Sequence, residues 1–221
     1  MPDDTPGGRL PTYPGYDVLS KKDGMSWNDA TRTAIDHRLG VKLEPRFFNP
    51  AEWDTLGAVC RRIMPQPDTR PAVPLPAYVD TRLVEGRRDG YREADMPDER
   101  TAWRTGLAAL EADAQARFGR AFHVLDPAQQ DELLTDMQHG RLDGPHWQGM
   151  PSRTFFKRRV IPDITHAYYA HPTAWSEIGW GGPASPRGYV RLGMDRRDPW
   201  EAAEAHPGRE AKAEKENKRV R

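Results

Sequence analysis

The sequence predicts an all-α chain. It reads as a small irregular bundle of about five helices, followed by a long loop rich in Gly, Pro and aromatic residues, with flexible tails. Three observations predict it. Apolar residues recur at spacings of three and four in several separate windows, which is the helical period. Asn-Pro or Asp-Pro opens two of these windows and Gly closes two. No window shows the period-two alternation of a half-buried strand.

Residues 1–44 read as an extended N-terminal arm in which Pro, Gly and charges dominate. A short helix is expected within it over Ser26–Leu39, with Ser26 as cap and Trp27, Ala30, Ala34 and Ile35 on one side. The helical domain is expected over residues 45–200. Its first helix follows Asn49: the Asn oxygen can take an orphan N–H, Pro50 fits the first helical position, and Glu52 can reach back to the cap. Trp53, Leu56, Cys60 and Ile63 then line one face, and Pro65 stops the helix. The stretch 65–74 carries Pro65, Pro67, Pro71 and Pro74 and must be a stiff loop. Leu75–Leu83 can form a short helix with Leu75, Tyr78, Val79 and Leu83 together.

The longest pattern runs from Asp98 to Phe118. Trp103, Leu107, Leu110, Ala114 and Phe118 share a face, and Gly119 sits where a left-handed cap is wanted. Asp126-Pro127-Ala128-Gln129 repeats the capping logic, with Leu133, Leu134 and Met137 inward and Gly140 as the end. Ser152 is expected to cap a fifth helix carrying Phe155, Phe156, Val160, Ile164 and Tyr168, which Pro162 should kink or split. Beyond Ala170 the periodicity disappears. Residues 201–221 read as a charged, solvated and flexible tail.

Composition excludes several classes. The chain has 221 residues, with 33 Lys plus Arg against 33 Asp plus Glu, so it lacks the basic excess of a dedicated nucleic-acid binder. No apolar run approaches the ~18 residues of a membrane span, so no direct membrane insertion is expected. Leu, Ile, Val and Phe make up about 16% of the chain. Yet the net charge is zero and seven Trp and seven Tyr are present, so the chain is not simply disordered. Its aliphatic core is thin and its amphipathic aromatics are many. The acidic start Met1-Pro2-Asp3-Asp4 has neither the basic onset nor the apolar stretch of a secretory signal. The expected location is therefore cytoplasmic by default, with a periplasmic or membrane-associated one as the alternative if a partner carries the chain out.

Catalytic signatures are missing. The seven histidines form no H-E-x-x-H, and no Cys/His cluster has zinc spacing. His166 and His171 are five apart and would not share a face of a regular helix. They are nonetheless the candidate bases for an enzyme reading. Gly179-Trp180-Gly181-Gly182 has neither the spacing nor the flanking elements of a dinucleotide loop. No phosphate loop and no G-x-S-x-G elbow occurs. No cofactor and no metal site is expected in this chain. Cys60 reads either as a small core residue or as a thiol bonded to another subunit. Arg153 and Lys157-Arg158-Arg159 read as a solvated face, or as a patch for an acidic partner or an anion. The richest stretch is aromatic: Trp175, Trp180, Tyr189 and Trp200 lie with Arg187 and Arg191 where no periodic scaffold is visible. Such a loop either packs back on the helices or docks on another chain, since Trp, Tyr and Arg are the anchors that interfaces favour. Trp175, Trp180, Arg187, Tyr189, Arg191 and Trp200 are the candidate partner interface.

The order of these pieces resembles a known family. Phe47-Phe48-Asn49-Pro50-Ala51-Glu52-Trp53 resembles an F-F-[TN]-P-x-E opening, and Leu56–Pro65 the helix that follows it. The stretch from Trp103, then Arg117–Phe122 with Leu125–Leu134, and finally Phe155–Pro172 are similar to its later helices. The family is gluconate 2-dehydrogenase subunit 3, the small gamma-type subunit of flavin-dependent sugar and sugar-acid dehydrogenases. The resemblance covers about residues 46–200. It implies a non-catalytic accessory subunit, which stabilises or chaperones a large flavoprotein of the glucose-methanol-choline (GMC) oxidoreductase type. FAD is then expected in that partner, and a cytochrome c subunit often passes electrons on. Two features depart from the family. No twin-arginine signal opens this sequence, and Gly181-Gly182-Pro183 stands where many members have G-G-N. The competing expectations are a free-standing helical adaptor and a small-molecule enzyme using His166 or His171.

Overall fold

The computed structural model describes residues 12–24, 26–87, 90, 92–184, 188, 193, 194, 196–198 and 200–220. In chain order the α-helices are α1 (Asp29–Leu39), α2 (Pro50–Ile63), α3 (Leu75–Glu85), α4 (Glu99–Phe118), α5 (Pro127–His139), α6 (Ser152–Phe155), α7 (Ile161–Tyr169), α8 (Pro172–Glu177) and α9 (Glu210–Asn217). No β-strand runs through the described residues, so the all-α expectation holds. The chain separates into two compact units. One combines the residues up to Gly40 with those from Tyr169 onward, and the other is Val41–Tyr168.

In the Val41–Tyr168 unit the expected caps form. Asn49 and Asp126 each make a reciprocal capping box, with Glu52 and Gln129 respectively. Gly119 and Gly140 take the left-handed conformation that ends α4 and α5. The core is made by Leu56, Val59 and Cys60 of α2, Leu75, Val79 and Leu83 of α3, Trp103, Leu107 and Leu110 of α4, and Leu133, Leu134 and Met137 of α5. Trp53, Ile63, Tyr78 and Phe118 share these faces but remain partly exposed. Asp80, on the buried side of α3, fastens the chain ahead of α2. Its carboxylate accepts the backbone N–H groups of Arg46 (3.0 Å), Phe47 (2.9 Å) and Phe48 (3.1 Å). Gly106 lets the Phe155 ring lie against α4. A Cβ there would sit 2.3 Å from the ring, so the close contact requires glycine. Trp103 meets the same ring edge-on, with centroids 5.4 Å apart.

Pro162 acts differently from a simple kink. Ser152 is the first helical residue rather than the cap, and Phe156–Val160 form a π-helical turn between α6 and α7. The N–H of Ile161 bonds the carbonyl of Phe156, five residues back. Pro162 has no N–H to offer next, so a wider turn just ahead of it keeps the helix running without that bond. The turn places Arg159 inward.

The other unit departs from the arm-and-tail expectation. Tyr16, Val18, Trp27, Ile35, Trp175 and Val220 form one buried apolar cluster. The helix near residue 30 is capped by Asn28, not Ser26, and Ala30 and Ala34 are exposed. The C-terminal stretch is helical over α9 and held by the buried side chain of Asn217. Its Nδ2 donates to the carbonyls of Pro14 and Ala203, both at 2.9 Å, and its Oδ1 accepts the Ala203 N–H at 2.6 Å. The hydroxyl of Ser20 donates to the Val220 carbonyl. The cluster joins residues more than 150 positions apart, which local periodicity cannot register.

Candidate functional site

The Gly/Pro segment after α8 is shaped by close packing. Gly179 and Gly182 both have positive φ. A Cβ on Gly179 would lie 2.5 Å from the Tyr13 ring, and one on Gly182 would crowd Trp27, Trp175 and Val18. The Nζ of the buried Lys21 donates to the Gly181 carbonyl at 2.6 Å. The segment is thus bound to its own unit, which favours the packing reading for this part of the loop.

Trp175 is correspondingly not a surface anchor. It is 1% exposed, its indole N–H donates to the Tyr169 carbonyl, and Arg38 lies 5.4 Å over its ring. Here α8 turns Trp175 into the cluster of Tyr16, Val18 and Trp27. Trp180 stands edge-on to Trp175, with centroids 4.8 Å apart, and stays 38% exposed. Trp200 is partly buried. Arg187, Tyr189 and Arg191 lie outside the described residues. Tyr169 and Ile178 stand outside the candidate interface set, but they join Trp180 among the exposed large apolar side chains. The signal available was their position at the two ends of the Trp175 helix.

Trp180 and Trp200 line one cavity of about 580 Å3. Tyr13, Gly181 and Gly182 complete its aromatic and glycine side, while Glu204, His206, Arg209 and Lys212 contribute polar groups. Arg197 and Glu216, also on its wall, pair at 2.6 Å.

The remaining candidates have positions of their own. Cys60 is enclosed at 3% exposure, and burial pushes its thiol pKa far up, against a weaker pull from Arg61. That environment is the inert core thiol of the two readings, and a bond to another subunit would require opening α2. His166 is exposed on α7. His171 caps α8, its Nδ1 accepting the Thr173 N–H at 3.2 Å. Among the described residues no group of three or more His, Cys, Asp or Glu is arranged to hold a metal ion. No helix among them is long and apolar enough to cross a membrane.

The basic cluster divides between surface and interior. Arg158 pairs with Glu93 at 2.8 Å on the surface. Arg159 turns inward to Glu99 at 3.0 Å. Arg82 of α3 meets both Asp163 and Glu99, and the Trp103 indole donates to Asp163 at 2.8 Å. Asp163 is 5% exposed. Burial raises its pKa above the ordinary carboxyl value, while Arg82, Arg159 and the Trp103 N–H pull the other way. This buried set ties α3, α4, the π turn and α7 together.

These features define a helical chain with enclosed ion pairs, a sequestered thiol and exposed aromatic residues beside a polar cavity. Residues 50–182, more than half of the chain, match the model of the family described as gluconate 2-dehydrogenase subunit 3. The chain belongs to that family, and membership makes it a subunit of a multi-subunit dehydrogenase. Searches of curated proteins and of solved structures found no match.

Proposed function

We propose that the chain is the non-catalytic, gamma-type small subunit of an FAD-dependent dehydrogenase of the gluconate 2-dehydrogenase kind. Its role is to stabilise or chaperone a GMC-type flavoprotein large subunit. FAD belongs to that partner, and a cytochrome c subunit takes the electrons onward. The observation that carries the reading is the family match over residues 50–182. Two placements support it. His171, a candidate base, is engaged as a helix cap, and Asp163 is held between two guanidiniums. Docking is proposed at Trp180 and Ile178, which follow α8, together with Tyr169, which precedes it; all three are exposed. Arg187, Tyr189 and Arg191 extend this anchor set. Apolar area of this kind gains most when it fills a partner's pocket. The chain works in the cytoplasm unless it is exported with its partner.

The isolated full-length chain is expected to be colourless and to turn over no sugar or sugar acid with an artificial electron acceptor. An absorption spectrum and a dye-reduction assay check this. A stoichiometric flavin or haem spectrum, or turnover by the isolated chain, would overturn the reading.

A further inference from the structure

We infer that the cavity beside Trp200 is a binding site for a neutral saccharide ring, carried by this chain alone. The inference goes beyond the subunit role and does not rest on it. The cavity holds about 580 Å3, within the range of small-molecule sites. Its aromatic side is pre-formed. Tyr13 sits against Gly179, where even a methyl group would collide, and Trp180 is fixed edge-on by the buried Trp175. Gly181 and Gly182 line it as well, and are held close by Lys21 and by Trp27, Trp175 and Val18.

The polar side is different in kind. The side chains of Glu204, His206 and Arg209 make no hydrogen bond or ion pair among the described residues, and all three are exposed. They provide a carboxylate acceptor, an imidazole that accepts or donates, and a guanidinium donor.

Charge narrows the ligand class. The lining holds Arg197, Arg209 and Lys212 against Glu201, Glu204 and Glu216. Among these described residues bases and acids balance, so they offer a phosphate-bearing ligand no net attraction. A wholly apolar ligand would strand the free polar groups. A pyranose satisfies both sides. Its axial C–H bonds carry partial positive charge and pack on the negative face of an indole or phenol ring. Its equatorial hydroxyls both donate and accept, matching the mixed set opposite.

The test titrates the isolated full-length chain with methyl β-D-glucopyranoside and with cellobiose, followed by tryptophan fluorescence and by saturation-transfer NMR. Sorbitol, which offers the same hydroxyls without a ring face, is the comparator. Saturable binding of both glycosides is expected, with sorbitol weaker by about tenfold or more. Trp200→Ala should weaken the glycosides to a similar extent, and Arg209→Ala, at an exposed position, should weaken them without touching the fold. Circular dichroism of each variant verifies that the helices are retained. The inference is overturned if no glycoside saturates the signal, if sorbitol binds equally well, or if both variants bind as the unchanged chain does. None of these outcomes depends on a partner subunit, so failure here leaves the dehydrogenase reading intact.

Discussion

Asn217→Asp is expected to destabilise the unit that joins the two ends of the chain by about 3–5 kcal/mol. Asn217 is 1% exposed and uses its whole amide: two donations, to Pro14 and Ala203, and one acceptance, from Ala203. The substitution keeps the size of the side chain. It replaces the donating nitrogen by an oxygen and sets a buried carboxylate against two carbonyl oxygens. The apolar cluster around Trp27 and Trp175 depends on the same closure, since Val220 enters it only while the C-terminal stretch is held. Thermal unfolding monitored by tryptophan fluorescence reads the effect. Lys215→Ala, on the exposed side of α9, is the control and should change little. An Asp variant as stable as the unchanged chain would contradict this account.

Arg82→Leu is expected to cost the Val41–Tyr168 unit about 3–5 kcal/mol, because removing one member of a buried ion pair leaves an uncompensated charge. Arg82 meets both Asp163 and Glu99. Arg159, from the π turn, is the other cation facing Asp163, and the Trp103 N–H is its neutral donor. The loss should depend on pH. Burial holds the Asp163 pKa above its unfolded value, and Arg82 is the strongest opposing influence. A raised carboxyl pKa means that stability is fully present below the unfolded pKa and falls as pH rises through the folded one. Without Arg82 the folded pKa rises further, so the variant loses more at neutral than at acidic pH. Denaturant titrations at about pH 7 and about pH 4.5 should show the gap between the two proteins narrowing on acidification. A gap independent of pH would remove Asp163 as its cause.

These two positions also mark where the sequence could be read and where it could not. The caps at Asn49 and Asp126 and the glycine ends at Gly119 and Gly140 were legible, because each acts within a few residues of itself. The inward faces of α2 to α5 were legible for the same reason. Pro162 signalled a disturbance, but not that the helix would widen into a π turn and turn Arg159 inward. Asn217 gave no signal. Its partners lie at Pro14 and Ala203, and a polar residue in a charged stretch reads as solvated until those carbonyls are found around it. The aromatic loop was half legible. Its surplus of Trp was plain, but the division between Trp175 inside and Trp180 outside depends on α8 packing against residues near the N-terminus.

The thin aliphatic core acquires a physical sense from this division. Four tryptophans, Trp27, Trp103, Trp147 and Trp175, are among the largest fully buried side chains, so aromatic volume replaces missing Leu and Ile. Trp180, Ile178 and Tyr169 are left on the surface, as a subunit that joins a larger partner requires.

The most direct test of the subunit role is co-expression of the tagged chain with a GMC-type flavoprotein from the same organism, followed by affinity purification. The account predicts a stoichiometric complex whose flavin spectrum comes with the large subunit, and loss of most of that complex in a Trp180→Ala/Ile178→Ala double variant. Purification of the tagged chain free of any flavoprotein, under conditions where both are soluble, would contradict it.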